Sequence, residues 1–142
     1  METFNLLLWI GVIGGLFAFA TWAMITAYVR PPKQAIAFLA PIEALTLPLS
    51  GDAHQAFQAG CEAFRGRQYR NAIDDFTTAI AQAPDCGEAY HNRGRVQANL
   101  KQDNLAVKDL LDAGDRYDQQ GTKAALDQVK QDLELIASRS RK

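Results

Sequence analysis

Hydrophobic and polar positions divide this chain into three regimes. From Phe4 to Val29 the side chains are apolar almost without interruption, and no charge stands between Glu2 and Arg30. Residues 31–52 stay apolar but carry Pro31, Pro32, Pro41 and Pro48, four of the five prolines, so no long regular element crosses them. From Ala53 onward apolar residues recur at helical spacing among charged and amide side chains. Ala56, Phe57, Gly60 and Phe64 define one helix. The run RGRQY breaks it, and Ala72, Ile73, Phe76, Ala79 and Ile80 define a second. After Pro84 the pattern restarts at Gly87, and over 121–138 Ala125, Leu126, Val129, Leu133 and Ile136 stripe one more amphipathic helix.

The first regime predicts a membrane anchor over residues 1–30. At about 1.5 Å per residue, its roughly 26 apolar residues would reach ~39 Å as a helix, more than a ~30 Å hydrocarbon core. Pro31-Pro32 would stop it just outside. A cleaved leader is the competing reading; it needs a basic start and a shorter core, and no base precedes Arg30. Arg30 and Lys33 follow the run, so the positive-inside rule places the N-terminus outside or lumenal and the rest cytoplasmic or stromal. Gly11 and Gly15, with Ala18 next on the same face, form a G-x-x-x-G packing surface for another membrane helix. The segment 31–52 is too apolar for a solvated tether. It should lie against the bilayer, the following helices or a partner.

The helical regime repeats. At an offset of 34 residues Gly60 matches Gly94, Ala72 matches Ala106, Phe76 matches Leu110 and Ala79 matches Ala113. Size repeats as well as polarity, as expected where paired helices approach closely at small residues. Residues 53–86 supply Gly60, Phe64, Tyr69, Ala72, Phe76, Ala79 and Pro84; residues 87–120 supply Tyr90, Gly94, Ala106, Leu110 and Ala113. This pattern resembles the tetratricopeptide repeat (TPR) family. Arg93 stands where that family usually has Leu, and Asp118 replaces the closing Pro. The resemblance implies an all-α fold: a single transmembrane helix, then a short TPR helix–turn–helix solenoid of two repeats, 53–86 and 87–120. A capping helix (121–138) and a basic tail (139–142) would complete it. With its anchor, the layout is similar to membrane-anchored photosystem assembly factors, which implies a thylakoid membrane and a role in photosynthesis.

Composition adds little attraction to nucleic acid: 15 basic residues face 16 acidic ones. Cys61 and Cys86 are too few for a stapled secreted domain and read as reduced, buried thiols. His54 and His91 are not in a metal-ligand spacing, and no phosphate loop or nucleophile elbow is present, so no enzyme, cofactor or metal is expected. Asp109, Asp112, Asp115 and Asp118 read as solvated helix faces. The resemblance implies instead a concave partner groove lined by Phe57, Cys61, Phe64, Arg65, His91, Arg95 and Asn99. Phe57 and Phe64 would be apolar anchors, and Arg95 would hold a carboxylate. Phe57 and Cys61 occupy the first two positions of the family's chaperone-tail clamp, which excludes that variant. The expected function is a membrane-anchored protein-interaction scaffold that assists assembly of a larger membrane complex or stays bound to it. Permanent accessory subunit and receptor for targeting peptides are the rivals. Protein partners and lipid, and no nucleic acid, are the expected contacts.

Overall fold

The computed structural model describes residues 2–28 and 37–140 of the chain. The chain divides into two compact units, Met1–Gln34 and Ala35–Lys142. The described residues form six helices: α1 (Glu2–Tyr28), α2 (Gly51–Arg65), α3 (Tyr69–Gln82), α4 (Gly87–Asn99), α5 (Asp103–Gln119) and α6 (Lys123–Ser140).

The first unit contains α1. Gly11, Gly15 and Ala18 lie exposed along it, and a Cβ placed on either glycine would meet nothing within 4 Å. Among the described residues no helix is long and apolar enough to cross a membrane. The expected single-pass anchor over 1–30 is corrected on that finding. The transmembrane packing role of Gly11, Gly15 and Ala18 and the lumenal-to-stromal orientation fall with it. Pro31, Pro32 and Lys33 lie outside the described residues.

In the second unit each helix packs on its neighbour in sequence, α2 on α3, α3 on α4, α4 on α5 and α5 on α6. The small-against-large logic holds at both equivalent crossings. A Cβ on Gly60 would come within 2.7 Å of the Phe76 ring, and one on Gly94 within 3.2 Å of Leu110. Ala72, Ala79, Ala106 and Ala113 are fully buried beside them. The turns repeat too. Arg67 and Lys101, 34 residues apart, both adopt the left-handed conformation (φ 58° and 63°). At each, the next residue's N–H reaches back five residues, Gln68 to Ala63 O at 2.8 Å and Gln102 to Gln97 O at 2.9 Å, closing the helix C-terminus. The third such turn uses Gly121, with φ 70°.

α4 departs from the simple amphipathic picture. It packs against both α3 and α5, and its polar side chains are buried along with its apolar ones: Glu88, His91, Asn92, Arg95, Gln97 and Asn99. Asp109 is likewise no solvated face. It is 3% exposed and takes two bonds from Arg93, Nε at 2.7 Å and Nη2 at 2.9 Å. Arg139, expected in a loose tail, is within α6 and pairs with Asp103.

Candidate functional site

Burying so many polar groups requires partners for them. Glu88, Asn92 and Asn99 of α4 find theirs in the strap, the segment 37–49, whose residues 37–46 lie non-helical and antiparallel along the helix. Asn99 Oδ1 accepts the N–H groups of Ala37 (3.0 Å) and Phe38 (2.9 Å), and its Nδ2 donates to Phe38 O at 2.8 Å. Asn92 does the same one step on, accepting Ile42 N–H and donating to Ile42 O, both at 2.7 Å. Glu88 Oε1 accepts Thr46 N–H at 2.8 Å. Glu88, Asn92 and Asn99 stand on one face of the helix, four and seven residues apart. Each carboxamide pairs with both main-chain groups of a single residue, as a neighbouring strand would. The strap's prolines fit this scheme. Pro41 and Pro48 donate nothing, and no bond to α4 needs an N–H from them. Residues before proline are also biased to extended backbone, which lowers the entropy cost of laying the strap down.

Strap side chains are read as well, and the Thr46 hydroxyl donates to Glu88 Oε1 at 2.8 Å. Phe38 is buried, and the Arg95 guanidinium sits 5.2 Å from its ring centroid, a cation–π distance. Arg95 is fixed by Asp132 of α6, with Nε to Oδ2 at 2.5 Å and Nη2 to Oδ1 at 3.3 Å. His91 Nε2 meets the same Oδ2 at 2.8 Å, and Tyr117 Oη lies 3.5 Å from its Nδ1. The tautomer with its proton on Nε2 satisfies both contacts. Burial holds His91 below its ordinary 6.5, and the Arg95 charge adds to this, against the opposing bond to Asp132. Burial alone would raise Asp132, but the bonds from His91 and Arg95 outweigh it and hold the carboxyl below the usual range. The resting arrangement is therefore an Asp132 carboxylate shared by a neutral imidazole and a guanidinium. That carboxylate ties α6 to α4 and sets the position of the group facing Phe38.

The sequence-expected groove residues are brought together, but in other roles. Phe57 and Phe64 are 2% and 1% exposed and belong to the core, so they present no anchor to an outside partner. Phe57 packs against Phe76 with ring centroids 5.8 Å apart. Cys61 is buried and free, as is Cys86; burial pushes both thiols up to about 12 and leaves them unreactive. Arg65 is exposed and pairs with Glu43 of the strap at 2.6 Å. His91, Arg95 and Asn99 face the strap or Asp132, not solvent. Glu88, Asn92 and Asp132 escaped the sequence reading. The available signal was the stripe Glu88, Asn92, Arg95, Asn99 at helical spacing, and Asp132 beside the apolar stripe of α6. Beside the strap remains a cleft of about 240 Å³, lined by Glu43, Leu45, His54, Phe57, Gln58 and Arg65 among others.

No protein-family model, curated protein or solved structure matches this chain. The resemblance to anchored TPR proteins is corrected accordingly: the described residues form six helices, no match supports the TPR family, and no helix among them is long and apolar enough to be the anchor. No family evidence supports the thylakoid, photosynthesis or assembly-factor expectations, which are withdrawn.

Proposed function

We propose that the helical unit is a protein-interaction scaffold that recognises extended polypeptide through its main chain. The observation that carries this reading is the ladder on α4, in which Asn99, Asn92 and Glu88 bind the backbone of Phe38, Ile42 and Thr46. Main-chain pairing supplies affinity with little sequence demand, and a side-chain seat then supplies selectivity. The Phe38 seat under Arg95 is that selective element. The reading concerns binding alone and assigns no reaction.

Selection of phage-displayed random twelve-residue peptides on the full chain tests it, with counter-selection on the Asn92→Ala, Asn99→Ala double variant. The expected consensus places an aromatic residue four positions ahead of a residue other than proline. Absence of a consensus, or retention of the same peptides by the double variant, would contradict the reading.

A further inference from the structure

We infer that the segment 37–49 is a tethered competitor for the α4 face, displaced when an extended partner segment with an aromatic residue takes its place. This rests on the proposed main-chain recognition. The main-chain bonds that hold the strap would be offered equally by another extended chain, whereas the Thr46 hydroxyl bond to Glu88 and the Glu43–Arg65 pair belong to this strap's side chains. They require free main-chain groups at three points spaced four residues apart, set by Phe38, Ile42 and Thr46. Two points add a side-chain contact: an aromatic ring beneath Arg95 at the first, and at the third a hydroxyl that donates to Glu88 Oε1 at 2.8 Å.

The strap is also placed to leave. Leu39 is 78% exposed and Leu47 39%, so it forms a single layer on the helices. It joins α2 through Gly51, whose φ of 53° and open surroundings make a pivot free of packing. The cleft along Glu43 and Leu45 opens the strap's flank to an incoming chain. Tethering gives the strap an effective concentration on the order of millimolar. A weak partner is thereby refused and a better-fitting one admitted, so the strap sets a threshold for binding.

The test uses a fluorescent peptide of the sequence 37–49, extended by two lysines for solubility. It is titrated into the full chain, into Phe38→Ala, and into Phe38→Ala also carrying Asn92→Ala and Asn99→Ala. Hydrogen exchange at Ile42 and Thr46 of each protein reports whether the strap has loosened. The expected result is faster exchange in Phe38→Ala and peptide binding at least tenfold tighter than to the unaltered chain. Binding should be lost again in the triple variant. If exchange rises but the peptide binds both chains equally and still needs the two asparagines, the competitor inference fails and the main-chain reading survives. If exchange rises and no peptide binds, or the triple variant binds as well, both fail. Unchanged exchange in Phe38→Ala would show that the ring does not hold the strap, and would overturn the inference.

Discussion

Replacing Asn99 by Ala removes three hydrogen bonds at one end of the strap, two accepted by Oδ1 and one donated by Nδ2. At a net ~0.5–1.5 kcal/mol each, the loss sums to about 2–4 kcal/mol. The strap can limit that loss by detaching and returning its amides to water. The cost therefore falls on strap opening and not on the helices, and an opening equilibrium shifted by about 2 kcal/mol corresponds to roughly 30-fold faster exchange. Phe38 is a poor reporter, because its own N–H loses its acceptor directly. Ile42 and Thr46 are the informative amides, since Asn92 and Glu88 remain in place beneath them. Hydrogen exchange resolved by residue should show both accelerated at least tenfold, with amides in the middle of α3 and α5 unchanged. Exchange at Ile42 and Thr46 within threefold of the unaltered chain would refute the claim that Asn99 holds the strap. Equal acceleration in α3 and α5 would refute the claim that the strap opens independently.

Gly60→Ala should destabilise the chain by about 1–2 kcal/mol: the helix gains up to ~1 kcal/mol, but a Cβ 2.7 Å from the fully buried Phe76 ring puts the overpacking cost in the upper part of its usual range, at ~2–3. A denaturant midpoint equal to or above that of the unaltered chain would contradict the close packing at this crossing. Lys101→Gly should stabilise by about 0.5 kcal/mol, since the left-handed conformation costs a side chain ~1–2 kcal/mol and glycine returns part of that as unfolded-state entropy; destabilisation in urea melts would count against the turn geometry. The His91 pKa is depressed in the fold, so its contribution is present above about pH 6.5 and is lost as pH falls from there toward the folded value, where the unfolded chain takes up the proton first. Denaturant midpoints should drop between pH 7 and pH 5, and His91→Gln should flatten that drop while lowering stability at pH 7; an unchanged slope would remove His91 from the account. Asp132, also depressed, should contribute a further loss only as pH falls below about 3.8.

The helical stack was legible because it rests on period and size. The 34-residue offset paired Gly60 with Gly94 and Phe76 with Leu110, and each glycine does lie against its matching bulky residue. The reading faltered where burial and polarity part company. Asn92, Glu88 and Asp109 belong to residue types that are usually exposed, yet all three are buried with their bonds satisfied. An extended, proline-interrupted strap has no period to say which surface it covers. Its apolar character was enough to show that it must be covered, and its main chain, which makes the contacts, leaves no mark in a residue pattern. Phe57 and Phe64 were misplaced for the converse reason: an aromatic at helical spacing fits a groove and a core equally well, and the core holds them here.

Nuclear Overhauser contacts of the Asn92 and Asn99 carboxamide protons test the central claim most directly. In the full chain the Asn99 protons should show contacts to Phe38, and the Asn92 protons to Ile42. The contacts should persist when labelled protein is diluted into an excess of unlabelled protein, since they arise within one molecule. Their absence, with the amides of Phe38, Ile42 and Thr46 exchanging as fast as in an unstructured chain, would mean that α4 does not hold the strap and would end the case for main-chain recognition.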